Sequence, residues 1–247
     1  MKRAAICVFI FFAASAAAMA TIQYDTNLAS PNNSNYPGWY DGTGNPNGGF
    51  TVDTENGIEL GLRVKLRQDP NVIDSPTDLY YVPVGPQPSS PTHAAWNYEF
   101  SIDLRPGGLG TLTLNDISAS LTITDVTTGA TATVNALSYF GDNSGYGPGG
   151  KDTAQGTDWG SQNSENPIFA SFPLAADYNE NAVRLYRFDL TVTQNGGGLL
   201  ASDTIFAQTE TPEPSAWVLT LGGLGFLMRR RIISSLEMWS RDARRDP

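Results

Sequence analysis

Strict apolar–polar alternation, with no helical periodicity to compete with it anywhere between residues 21 and 210, is the feature that most constrains this chain. In the run 58–66, Ile58, Leu60, Leu62, Val64 and Leu66 share one parity, while Glu59, Arg63 and Lys65 share the other. Successive side chains of a strand point to opposite faces, so the run predicts a half-buried strand with its charges in water. The pattern recurs at 50–52, 79–82, 96–104, 112–114, 119–125 and 130–137, with Thr127, Thr128 and Gly129 reading as a turn between the last two. Runs 183–193 and 199–207 flank Gln194, Asn195 and three glycines, which predicts a hairpin. The expected fold class is all-β: an antiparallel β-sandwich of roughly eight to ten strands, immunoglobulin-like or jelly-roll. Segments 21–49, 69–90 and 141–167 are rich in Gly, Pro, Asn, Asp and Ser, and are expected as loops.

The only cysteine, Cys7, lies in the apolar run near the start. The domain therefore holds no disulfide and must stand on its hydrophobic core. Seven of the fifteen basic residues and twenty-one of the twenty-five acidic ones fall within 21–211, a net charge near −14. Such a surface repels nucleic acid and anionic lipid.

His93 is the only histidine, so a zinc site with two imidazoles is excluded, and without cysteine a thiolate site is excluded too. Ser144 lacks the Gly-x-Ser-x-Gly elbow, and residues 147–151 lack the spacing of a phosphate loop. No catalytic or cofactor-binding residue emerges, and the chain reads as a non-enzyme. Calcium is the one metal with candidate ligands: Asp142, Asn143, Ser144, Asp152 and Asp158 share a loop, without EF-hand spacing. Tyr36, Trp39, Tyr40, Tyr146 and Trp159 also fall in expected loops, where a ring either stacks on a sugar or pins the loop to the core. Trp39 and Trp159 are the candidate sugar-stacking residues.

The two ends carry a different kind of signal. Lys2 and Arg3 precede the apolar run 4–18, and small residues at Ala18 and Ala20 suit a signal peptidase, so residues 1–20 are expected to be a cleaved export signal. Near the other end, Pro212-Glu213-Pro214 precedes an apolar run that begins at Trp217, closed by Arg229-Arg230-Arg231. As a helix, residues 215–228 would rise only ~21 Å, against a hydrocarbon core of ~30 Å. The arginines hold their end in the cytoplasm.

In order and spacing, Pro212, Glu213, Pro214, the hydrophobic run and Arg229, Arg230, Arg231 resemble the PEP-CTERM sorting signal of Gram-negative bacteria, over about the last tenth of the chain. The resemblance implies processing by an exosortase near Pro-Glu-Pro, in organisms that make extracellular polysaccharide. Chains of that class usually stop soon after the basic cluster, whereas this one runs on to Pro247. The expected organisation is thus a signal peptide (1–20), a β-sandwich domain (21–210), a sorting signal with a transmembrane helix (211–231) and a basic cytoplasmic tail (232–247). The expected role is that of a surface or matrix protein, structural or adhesive, linked to exopolysaccharide. The alternative is a displayed carbohydrate-binding module. Signal peptidase and exosortase are the expected partners during export, with a transient anchor in the inner membrane.

Overall fold

The computed structural model describes residues 20–29, 38–41, 46–147 and 153–211. The described residues up to Thr209 belong to one compact unit, and Glu210 and Thr211 to a second. Ala18, the Pro-Glu-Pro motif, the arginine triplet and Asp152 lie outside the described residues, and Ala20 is exposed. Among the described residues no helix is long and apolar enough to cross a membrane.

The strands, in chain order, are β1 (Thr21–Thr26), β2 (Phe50–Glu55), β3 (Ile58–Leu66), β4 (Leu79–Pro83), β5 (Pro86–Gln87), β6 (Ser90–Ala94), β7 (Trp96–Asp103), β8 (Ile117–Asp125), β9 (Thr131–Asn135), β10 (Ser144–Tyr146), β11 (Gly160–Glu165), β12 (Leu185–Gln194) and β13 (Leu199–Glu210). One sheet of six runs β1-β2-β3-β7-β11-β10, a second of five runs β4-β13-β12-β8-β9, and β5-β6 is a small hairpin. The only helical elements described are two 3-10 turns, Pro106–Gly108 and Leu114–Asp116.

The all-β expectation therefore holds, and its physical basis is the predicted parity. Ile58, Leu60, Leu62 and Val64 from β3 and Trp96, Tyr98, Phe100 and Ile102 from β7 enter one core with Leu121 and Ile123 from β8, and Tyr186, Phe188, Leu190 and Val192 from β12. Rings carry much of the contact between the two sheets: Tyr98 lies 5.0 Å from Phe188 and Trp96 5.9 Å from Tyr186, centroid to centroid. Full burial of such side chains contributes roughly 1.5–3 kcal/mol each. The hairpin β12–β13 turns at the glycines as expected, and β8 reaches β9 through Thr127, Thr128 and Gly129.

Several local expectations need correction. Segment 21–49 contains β1, and 141–167 contains β10 and β11. Strand β11, Gly-Ser-Gln-Asn-Ser-Glu, has no apolar alternation, yet it pairs along β7. Its amides replace hydrophobic contacts with hydrogen bonds: Gln162 Nε2 donates to Gly38 O at 2.6 Å and to Ser101 Oγ at 3.1 Å, and Asn163 Nδ2 donates to Asn143 Oδ1 at 2.8 Å. The expected strand at 112–114 gives way to a 3-10 turn, where Thr113 N and Oγ1 both donate to Asp116 Oδ2 at 2.8 Å.

The largest correction concerns the charges of β3. Glu59, Arg63 and Lys65, expected in water, are only 6%, 1% and 2% exposed. The outer face of the six-stranded sheet is covered by a second layer that includes Leu28 and Trp39, packed with Phe50 and Val52. Gly61 makes room for it, since a Cβ there would overlap Leu28, and a Cβ on Gly160 would overlap the Tyr146 ring and Ile102 O.

Burial of this face has an electrostatic consequence. Glu59 sits directly opposite Asp103 across β3 and β7. Burial pushes both carboxyls up to about 7; the Ala29 N–H pulls Glu59 down and the Asp103 charge pushes it up, while the Arg105 N–H and guanidinium pull Asp103 down. Glu165 is likewise raised to about 7 by burial, with Asp142 and Asp41 adding to it. A carboxyl whose folded pKa is raised binds more protons folded than unfolded, so its stabilisation is full below about pH 4 and is lost as pH climbs towards 7. Each such carboxyl is expected to cost the domain on the order of 3 kcal/mol between pH 5 and pH 8, read as a lower urea midpoint. Asp103→Asn should flatten that slope, and a midpoint that rises with pH would contradict the assignment.

Candidate functional site

Arg63 organises the covered face. Its Nε is ion-paired to Glu99 Oε2 with both side chains 1% exposed, and its Nη1 donates to Pro46 O at 3.1 Å and Gly48 O at 2.5 Å. The guanidinium also lies 4.1 Å from the Phe50 ring centroid and 5.0 Å from that of Trp39. A desolvated contact of this kind contributes roughly 2 kcal/mol. Burial lowers the Arg63 pKa while Glu99 raises it. The guanidinium remains charged, because its starting value is so high.

Glu99 carries the network onward. Its Oε1 accepts from Ser164 Oγ at 2.8 Å, Asn97 Nδ2 donates to Ser164 Oγ at 3.2 Å, and Asn166 Nδ2 donates to Asn97 Oδ1 at 2.8 Å. β3, β7 and β11 are adjacent, so Lys65, Asn97, Glu99 and Ser164 come together on one surface. That surface lines a cavity of about 310 Å³, completed by Asp41, Leu66, Arg67, Gln68, Asp142 and Asn163. Nine of these ten residues are polar and none is aromatic. Lys65 Nζ donates to the carbonyls of Leu66 and Asp69, and burial lowers its pKa. The volume is at the small end for ligand clefts.

The sequence-predicted residues fall elsewhere or in other roles. Trp39 is 2% exposed, its ring against Phe50 (5.2 Å between centroids) and Arg63, so it is a core side chain with no face open to a sugar. Trp159 is half-buried against the core, with Arg105 5.1 Å from its ring centroid. Tyr40 and Tyr146 stack edge to face at 5.0 Å and are buried, and Tyr146 lies in β10 rather than in a loop.

Of the calcium candidates, Asn143 is buried and donates to Ala136 O and Ser161 Oγ, Ser144 Oγ donates to Asp41 Oδ1, and Asp158 Oδ2 accepts from Gln155 N. Among the described residues no three His, Cys, Asp or Glu side chains are grouped to hold a metal. His93 lies in β6, its Nδ1 2.6 Å from Ser90 Oγ and its ring edge-on to Phe169. That contact spans three residues of one hairpin and brings no carboxylate to the imidazole among the described residues.

Sequence reasoning missed Lys65, Asn97, Glu99 and Ser164. The available signal was Arg63, Lys65 and Arg67 at alternate positions in a domain with only seven cations.

A search of protein-family models finds no match to the chain, and neither the curated proteins nor the solved structures include a match.

Arg63→Ala strands Glu99 as an uncompensated buried charge, and is expected to lower the unfolding free energy by about 3–5 kcal/mol. Arg63→Lys should recover only part of this, because an ammonium cannot serve Glu99, Pro46 O and Gly48 O from one plane. Urea unfolding of both variants checks it; a loss below about 1 kcal/mol for Arg63→Ala would mean the pair behaves like a surface bridge.

Proposed function

We propose that this chain is an exported cell-surface or extracellular-matrix protein, sorted by an exosortase, whose β domain catalyses no reaction and has a structural or adhesive role linked to exopolysaccharide. Export and sorting rest on the sequence of the two ends. The adhesive part rests on one observation, the open polar cavity between β3, β7 and β11 on a rigid sheet. Glu99 already spends its oxygens on Arg63 and Ser164, which suits it to hold shape rather than to exchange protons with a substrate. Of the two sandwich types, we favour a jelly-roll, because β3, β4, β7 and β8 alternate between the two main sheets.

The cavity also favours the narrower reading of a displayed carbohydrate-binding module. Amide, carboxylate and ammonium groups fixed on neighbouring strands are what hydroxyl recognition requires.

Processing has a direct test. Mass spectrometry of surface-extracted protein is expected to find the mature N-terminus at Thr21 and no peptide from Trp217 onward. Replacing Pro212, Glu213 and Pro214 by alanine should leave uncut chain in the inner membrane. Intact chains through Pro247 on the surface of cells with an active exosortase would overturn the sorting assignment.

A further inference from the structure

Resting on the adhesive reading above, we infer that the cavity between β3, β7 and β11 binds a neutral sugar residue of a polysaccharide, rather than an acidic sugar or a divalent cation. The lining divides into two walls. Lys65, Arg67 and Gln68 supply donors from the end of β3 and the residues after it, and Asp41 and Asp142 supply acceptors from the opposite side. Glu99, the remaining charge in the lining, is compensated by Arg63. Among the described lining residues the cavity therefore faces its ligand with two positive and two negative groups.

A hydroxyl both donates and accepts, so a ring bearing several of them satisfies both walls at once. An acidic polymer satisfies only one. Its carboxylates would meet Asp41 and Asp142 within a domain that carries a net charge near −14. A divalent cation is disfavoured by the same arithmetic reversed, since Lys65 and Arg67 share the space.

With no ring among the described lining residues, affinity comes from hydrogen bonds. Each site is therefore weak, and retention on a polymer comes from many copies acting together.

The test is retardation of the full chain, purified in detergent, in gels containing a neutral β-glucan, a galactomannan, alginate or polygalacturonate. A neutral polymer should retard the protein, and the acidic ones should not. Asp142 and Gln68 are exposed, so Asp142→Ala and Gln68→Ala should fold normally. Each is expected to weaken retardation at least ten-fold with the melting temperature unchanged, while Thr133→Ala, on the outer face of the other sheet, leaves it intact. Lys65→Met tests the donor wall from the buried side.

Retardation by neutral polymer that both exposed variants leave untouched would remove the cavity as the site and leave the adhesive reading standing. Retardation by acidic polymer alone would overturn the neutral-sugar assignment. Loss of all binding by a chain that is still processed and displayed would overturn the inference and the adhesive reading, leaving only a structural surface protein.

Discussion

The buried pair between Arg63 and Glu99 is the interaction on which the covered face of this domain depends. Taking both ions out of water is unfavourable by several kcal/mol each, and the attraction between them offsets this only when the remaining donors and acceptors are satisfied. Here Glu99 Oε1 takes the Ser164 hydroxyl, Arg63 Nη1 donates to two backbone carbonyls, and two aromatic rings flank the guanidinium, so that, of the pair, only Arg63 Nη2 is left without a hydrogen-bond acceptor among the described residues. Those carbonyls belong to Pro46 and Gly48, so the charge that β3 buries also ties down the chain just before β2. Asn47 fastens the same stretch from the other side: its Oδ1 accepts from Leu28 N and its Nδ2 donates to Leu28 O, both at 3.0 Å. Without the ion pair, Phe50 and Trp39 would lie over an unpaired charge.

How much of this was legible in the sequence follows from which forces act locally. The core faces of β3, β7, β8 and β12 were readable because strand parity is a property of the run itself. The hairpin at residues 194–198 and the turn at Gly129 were readable for the same reason. Polar strand β11 was not, because its place beside β7 is set by Gln162 and Asn163 bonding to Gly38, Ser101 and Asn143, partners up to 124 positions away. The fate of Glu59, Arg63 and Lys65 was hidden likewise. Alternation tells which side of a strand a residue takes, and nothing about whether a later layer covers that side. Trp39 was read with both of its options open, and the structure selects pinning to the core.

The same covering layer explains why two of the raised carboxyls, Glu59 and Asp103, lie on this face. Glu59 and Asp103 are cross-strand neighbours, a placement that ordinarily destabilises a sheet when both are charged. Holding a proton at neutral pH relieves the repulsion. A perturbed carboxyl is often taken as a mark of a functional site, but these two lie outside the cavity lining. Their shifts are better understood as a by-product of enclosing polar strand faces, and they do not nominate a general acid.

The two outer faces differ in a way that bears on where recognition resides. On the five-stranded sheet, Thr122 bonds Thr133 at 2.8 Å and Thr124 bonds Thr131 at 2.9 Å, an uncharged ladder of short hydroxyl side chains at or near the solvent. The ion pair on it, Arg187 with Asp189, is exposed and of the kind that contributes little, while Arg184 pairs with the buried Asp125 at the end of β8. Such a face keeps the sheet hydrated and offers a ligand only a wide, uncharged hollow lined by Ser118, Ser120, Thr133 and Thr193. The six-stranded sheet instead concentrates Arg63, Lys65 and Arg67, three of the domain's seven cations, against fixed carboxylates beneath a partial cover. Solubility alone does not call for that arrangement; Arg63 fastens the chain before β2, and Lys65 and Arg67 line the cavity. The asymmetry between the faces is why the proposed binding is assigned to the six-stranded sheet and not to the other.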